Sequence, residues 1–320
     1  MTDRKWLERA LELAERGRGR TAPNPVVGAV LVHDGERVAE GWHERVGGPH
    51  AEVVALEAAG ERARGATLYI TLEPCAHHGR TPPCADAVVE AGVARVVAAV
   101  RDPNPETDGA GFARLRAAGV EVELAGGELE WHARVQNEAY RVWVAARRPF
   151  VVYKAAVTLD GRVTVPGSRW VTGEESRRRV HELRARMDAV AVGMSTVRAD
   201  NPELTARGVG AERQPRRLAF GSGPLPDGSE LELRTGPLEK ELGRLAEEGV
   251  QSLLLEGGPT LATAFLEAGL VDKLMLFVAP TLAGAGPRWL GELPEPIALL
   301  RPSVEQVGED VLVTAYVRSP

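Results

Sequence analysis

Thr67-Leu68-Tyr69-Ile70-Thr71-Leu72-Glu73-Pro74-Cys75, with Cys84-Ala85-Asp86-Ala87-Val88-Val89 nine positions beyond that cysteine, reads as a strand running into a proline turn and then a helix. Upstream, His50 begins a second helical run that continues through Ala59 and stops at Gly60. Working outward, strand Arg95 to Val100, helix Phe112 to Ala118 and strand Val120 to Leu124 continue the alternation. Before it stand a helix carrying Trp6, Leu7, Ala10, Leu11 and Ala14 at helical spacing and a Pro/Asn-rich loop, Thr21 to Pro25. Val26 to Val32 and Arg37 to Trp42 follow as strands joined by Asp34-Gly35, a hairpin signal. A hairpin followed by strand–helix alternation predicts an α/β/α layered sheet. One long amphipathic helix from about Glu128 to Ala146 closes this unit, and Arg147-Arg148-Pro149 marks the expected boundary between domains 1–146 and 147–320.

The same stretch carries chemistry. The chain has two cysteines in 320 residues, and each follows a proline, in Pro74-Cys75 and Pro83-Cys84. His50, Cys75 and Cys84 together can hold Zn²⁺ with one coordination position open, as catalytic rather than structural zinc sites do. Glu52 would stay off the metal and move protons. Residues two apart in mid-helix point almost oppositely, so His50 and Glu52 can share a site only at a first turn. His-x-Glu…Pro-Cys…Cys is the signature of the zinc deaminases. Here the cysteines are nine apart instead of three, and the insert from Ala76 to Pro83 is polar and basic, which suits an anionic substrate.

Composition narrows the class. A hydrophobic content of 44% with 26% charged residues is that of a globular protein. No segment approaches the roughly 20 apolar residues of a membrane span, and the first residues lack the apolar core of a signal peptide. With both cysteines assigned to metal, no disulfide framework is left, so a reducing cytoplasm is expected. The net charge of −6 disfavours a nucleic-acid-editing deaminase, which needs a basic and aromatic surface.

The second half restarts with strand Phe150 to Val157 and a turn at Asp160-Gly161. Helix Glu174 to Arg186 follows, with Thr172 as expected N-cap. Strand Ala189 to Val192 leads into a loop through Asp200-Asn201-Pro202, then strand Arg217 to Phe220 and helix Leu238 to Glu248. Strand Ser252 to Leu255 runs into Glu256-Gly257-Gly258-Pro259-Thr260 and a helix from Leu261, and strands Lys273 to Val278 and Val311 to Val317 finish the sheet. Glycines at a strand-to-helix junction let a backbone approach a phosphate. An ordinary turn uses the same residues, and both readings stay open from pattern alone. Trp170 in a polar loop suits stacking on a ring.

At whole-chain scale the sequence resembles the bifunctional deaminase/reductases of riboflavin biosynthesis. The resemblance lies in Pro23-Asn24-Pro25-Val26-Val27-Gly28, Pro49-His50-Ala51-Glu52, the block Thr71 to Cys84 with its long spacer, and Arg101-Asp102-Pro103-Asn104-Pro105. It continues in Thr158-Leu159-Asp160-Gly161-Arg162, Ser168-Arg169-Trp170, Asp200-Asn201-Pro202-Glu203-Leu204-Thr205 and Glu256 to Leu261. It implies a cytidine-deaminase-like first domain, a dihydrofolate-reductase-like second domain, Zn²⁺ and NADPH as cofactors, a phosphorylated pyrimidine as substrate and a homo-oligomer. By motif match, Asn24, His43, His77 and Arg80 would contact the deaminase substrate. Ser168, Arg184, Leu204, Arg207 and Glu256 would contact the reductase substrate. Lys154, Trp170, Thr196, Asp200, Ser222 and Gly257, Gly258, Pro259, Thr260 and Leu261 would face the nicotinamide cofactor, with Asp200 polarising the reacting centre. Tyr140-Arg141-Val142-Trp143 departs from the family's usual aromatic pattern.

Overall fold

A computed structural model of the protein describes residues 2–76, 83–105 and 107–320. The chain divides into two compact units after Ala146. The first contains α1 (Thr2–Glu15), β1 (Gly28–His33), β2 (Glu36–Trp42), α2 (Ala51–Ala59), β3 (Thr67–Ile70), α3 (Cys84–Glu90), β4 (Arg95–Ala98), α4 (Ala110–Ala117), β5 (Glu121–Leu124), α5 (Gly127–Gln136) and α6 (Glu138–Ala146). Its sheet has the order β2-β1-β3-β4-β5, with β2, β1 and β3 antiparallel and β3, β4 and β5 parallel. The hairpin forms where its turn residues require it: Asp34 and Gly35 both have positive φ, 51° and 78°, which matches the right-handed twist of the flanking strands.

Successive strand residues face opposite sides. Ala29, Leu31, Leu68, Ile70 and Val96 pack on Ala55, Val88 and Leu115 of α2, α3 and α4. Val30, Val32, Tyr69 and Val97 pack on Leu7, Ala10 and Leu13 of α1 and Ala133 of α5. Each fully buried leucine is worth roughly 1.5–3 kcal/mol over an exposed one, so these two clusters, not helix propensity, fix the layers. Gly41 lets α2 lie directly on β2, because a Cβ there would overlap the Ala51 carbonyl oxygen.

The long closing helix of the sequence reading is two helices. Asn137 leaves helical geometry (φ −117°, ψ 26°) and spends its side chain on the main chain of Val26. Its Oδ1 accepts from Val26 N and its Nδ2 donates to Val26 O, both at 2.9 Å.

The second unit contains β6 (Phe150–Thr158), α7 (Glu174–Arg186), β7 (Ala189–Gly193), α8 (Met194–Asp200), β8 (Arg216–Phe220), β9 (Glu232–Arg234), α9 (Leu238–Glu247), β10 (Ser252–Leu255), α10 (Pro259–Glu267), β11 (Lys273–Ala279), β12 (Leu300–Val307) and β13 (Asp310–Tyr316). The sheet order is β12-β13-β11-β6-β10-β7-β8-β9, parallel from β11 to β9 and antiparallel across β11, β13 and β12. Leu242, Leu245, Ala262 and Phe265 of α9 and α10 cover one face, and Val180 of α7 packs with Phe277 and Leu312 on the other.

Three elements here were not expected. The loop after β7 is the short helix α8, ended by Asn201 in the left-handed region (φ 39°), and β9 and β12 are additional strands. The N-cap of α7 is Gly173, not Thr172, and carries no side-chain cap. Asp310 takes that role from across the sheet, accepting from Gly173 N at 2.8 Å and Ser176 Oγ at 2.6 Å.

Candidate active sites

In the first unit, two helix starts and one loop converge. His50 is the N-cap of α2 and Glu52 lies in its first turn, so the two share one side as a first-turn position allows. Cys84 is the first residue of α3, and Cys75 follows β3 in the loop. The Cys75 carbonyl accepts from Ala85 N at 3.1 Å and its Sγ accepts from Cys84 N at 3.3 Å, so the start of α3 fixes the loop. Gly111 of α4 closes the arrangement from behind, since a Cβ there would overlap the Pro74 carbonyl oxygen.

His50 Nδ1 lies 3.1 Å from Cys84 Sγ and 3.8 Å from Cys75 Sγ, and the three ligand atoms lie within 4.8 Å of one another. Ligands of one tetrahedral zinc with ordinary Zn–N and Zn–S bonds are about 3.6 Å apart, so these spacings bracket the requirement. The electrostatics agree. The Cys75 thiol is held below its ordinary range by hydrogen bonds from Cys84 and His50, while Cys75 and burial push the Cys84 thiol up. Two such thiols do not ionise together without a cation between them. Two thiolates and one imidazole are a donor set that suits zinc.

Glu52 is 3% exposed, and burial pushes its carboxyl up to about 7. A cavity of about 490 Å³ opens over it, lined by Asn24, His43, Glu73, Asp102, Asn104, Tyr140 and Trp143 as well as by His50 and Cys75. His43 Nδ1 lies 3.0 Å from the Pro49 carbonyl and can only donate to it, which leaves Nε2 as the acceptor 3.4 Å from Asn24 Nδ2. Burial holds the His43 pKa below 6.5, which keeps this tautomer neutral. The expected contacts Asn24 and His43 are therefore brought together, and His77 and Arg80 lie outside the described residues. Glu73, Asp102, Asn104, Tyr140 and Trp143 escaped the sequence reading as site residues, although Asp102 and Asn104 belong to a segment that carries the resemblance.

In the second unit the polar groups gather at the carboxyl edge of parallel strands, where α/β sheets bind ligands. Glu256 follows β10, and its backbone N donates to Ala191 O of β7 at 2.8 Å. Its carboxylate accepts from Lys154 Nζ at 3.2 Å and from Arg184 Nε and Nη2 at 2.6 and 3.1 Å. Arg184 Nη1 also donates to Thr205 O at 3.1 Å. His181, one turn before Arg184, has its Nδ1 3.0 Å from that carbonyl and 3.2 Å from Arg207 N, a contact the sequence reading missed. Leu204 is buried with φ 54°, and Arg207 Nη1 bonds Glu203 and Thr205.

Gly258 is the N-cap of α10, Pro259 is its first residue and Thr260 is exposed. A Cβ on Gly257 would lie 3.0 Å from Leu261 Cδ2, and Thr196 Oγ1 is 3.7 Å from the Cβ position of Gly258, so these expected residues share one neighbourhood. Ser168 Oγ donates to Trp170 O, and Arg169 and Arg177 each stand 5.0 Å over the exposed Trp170 ring. The exposed Ser222 contributes its carbonyl to Arg198. Asp200, last in α8, is exposed, and among the described residues no hydrogen bond or ion pair engages its side chain.

Residues 1–100 match the cytidine and deoxycytidylate deaminase zinc-binding region, and residues 149–313 match the RibD C-terminal domain. Fold and site thus define a zinc deaminase joined to a reductase. The riboflavin biosynthesis protein RibD of Aquifex aeolicus is 41% identical over 97% of both chains. RibD of Acinetobacter baumannii superposes with a TM-score of 0.84 at 36% identity, covering 98% of each chain. A diaminohydroxyphosphoribosylaminopyrimidine deaminase/5-amino-6-(5-phosphoribosylamino)uracil reductase of Thermotoga maritima gives a TM-score of 0.82 at 36% identity over the same share. The chain belongs to the RibD family, the bifunctional deaminase/reductases of riboflavin biosynthesis. No helix among the described residues is long and apolar enough to cross a membrane.

Proposed function

We propose that the first unit hydrolyses the 2-amino group of 2,5-diamino-6-ribosylamino-4(3H)-pyrimidinone 5′-phosphate to release ammonia, and that the second reduces the ribosyl side chain of the product to ribityl with NADPH. The observation that carries this reading is the convergence of His50, Cys75 and Cys84 beside buried Glu52 in one cavity. When bound, zinc supplies Lewis acidity that lowers the pKa of a water to near neutrality. Glu52, buried beside the three residues that would hold the metal, would take one proton from the attacking water to the ring nitrogen and then carry the second, from the added hydroxyl, to the departing amine. Asn24 and neutral His43 meet the polar edges of the ring, and His77 and Arg80 the phosphate side.

In the second unit NADPH supplies the hydride. Lys154, Trp170, Thr196, Ser222 and the Gly257–Leu261 turn form the cofactor side of this reading. Ser168, Arg184, Leu204, Arg207 and Glu256 form the substrate side. Asp200 is the group assigned to polarise the reacting carbon, supported by its exposure at the end of α8. The domain division 1–146 and 147–320 follows from the same assignment. The protein is read as a cytoplasmic homo-oligomer: two metal-binding thiols need reducing surroundings, and assembly rests on the family resemblance.

Mass spectrometry of the diaminopyrimidinone substrate with zinc-replete protein tests both halves. Exchange of one amino group for oxygen without NADPH, then gain of two hydrogens with it, is expected. A chelator should stop the first change and leave reduction of the separately supplied uracil intact. An unchanged substrate under both conditions would overturn the reading.

A further inference from the structure

Three carboxylates line the deaminase cavity, Glu52, Glu73 and Asp102. Glu52 stands beside the metal residues. Glu73 caps α4, its Oε2 accepting from Gly109 N and its Oε1 from Phe112 N, both at 3.1 Å. The third is Asp102, 6% exposed, in the loop after β4. Asn104 N donates to its Oδ1 at 3.0 Å, and the Tyr140 hydroxyl bridges both oxygens at 3.1 and 3.3 Å. Arg141, the next residue of α6, donates from Nη1 to the Arg101 carbonyl at 3.0 Å. Consecutive residues of one helix therefore grip consecutive residues of the loop that forms the cavity wall. The start of α6 is itself tied down, because Asn137 just before it is bonded twice to Val26, next to the Asn24 loop.

We infer that Tyr140 is a positioning residue of the deaminase, acting through Asp102, which accepts a hydrogen bond from an N–H group of the aminopyrimidine ring. The chemistry is complementary. An ionised carboxylate is an acceptor only, and a diaminopyrimidinone presents N–H donors on its edge. A hydroxyl bonded to both oxygens fixes the plane of the carboxylate. A carboxylate held in plane meets the ring at lower entropic cost than a rotating one. Placement of the substrate, not proton transfer, is the step that Tyr140 serves, so its loss should fall on KM more than on kcat. This inference rests on the deaminase reading above.

The test is steady-state deamination by the zinc-loaded full-length protein carrying Tyr140→Phe, Asp102→Ala or both. The Phe variant keeps the ring and deletes only the hydroxyl. Wild-type turnover establishes the deaminase reading independently of the variants. Tyr140→Phe is expected to raise KM about tenfold with kcat nearly unchanged and zinc content intact, the size of one lost hydrogen bond to a charged group. In the Asp102→Ala background the same change should add nothing, because its route to the substrate is gone. An unaltered KM in Tyr140→Phe would overturn the inference, as would an equal effect of the hydroxyl with and without Asp102.

Discussion

Glu256 and Arg184 meet through two hydrogen bonds, 2.6 Å from Nε and 3.1 Å from Nη2, with both side chains almost out of solvent at 9% and 13% exposure. Lys154 completes the cluster, so one buried carboxylate balances two cations. Burial alone would raise the Glu256 pKa, and Lys154 and Arg184 outweigh it, holding the carboxyl down to about 2. Because the folded value lies below the ordinary 4.5, the stabilisation is complete above that pH and is lost as pH falls toward about 2.

Glu256→Gln leaves both cations buried without a counter-charge. It should cost on the order of 3 kcal/mol at neutral pH. The gap between wild type and variant should shrink as acid protonates Glu256, which denaturant unfolding at about pH 7 and about pH 3 reads directly. A pH-independent gap would show that the carboxylate charge is not what matters.

Gly111→Ala places a methyl group against the Pro74 carbonyl, one residue from Cys75, a proposed zinc ligand. Displacement of that loop should weaken zinc binding about tenfold or more, measured by competition with a chelating dye. Reduction by the second unit should be unaffected. Undiminished affinity would mean that α4 shifts and the metal loop does not.

Asn137→Ala removes both bonds to the Val26 main chain and leaves a buried donor and acceptor unpaired. A loss of about 2–4 kcal/mol in unfolding free energy is expected. Asn137→Asp, which sets a buried carboxylate oxygen against the Val26 carbonyl, should be destabilised at least as much. Equal stability of all three proteins would refute the clamp.

These residues also show where sequence legibility ends. The starts of α2 and α3 were readable because Ala- and Val-rich helical runs follow His50 and Cys84 directly, and the hairpin because Asp34-Gly35 has one favoured geometry. The break at Asn137 was not, since asparagine is only mildly unfavourable in a helix and its partner lies 111 residues away. β12 carries exposed residues at nearly every position, so it shows no alternation of apolar and polar faces. For α7, Thr172 looked like the cap, but Asp310 from a distant strand took the task. His50, Glu52, Cys75 and Cys84 stood out by residue type and spacing. Asp102 and Tyr140, 38 positions apart, are joined only by the fold.

The division of labour between metal ligands and Glu52 is the central claim, and Glu52→Gln tests it most directly. Gln keeps the size of the side chain and removes its proton transfer. Zinc content by atomic absorption should stay at one ion per chain while deamination falls about a thousandfold, the scale of a lost general acid–base group. Loss of the metal from this variant, or turnover close to wild type, would contradict the account.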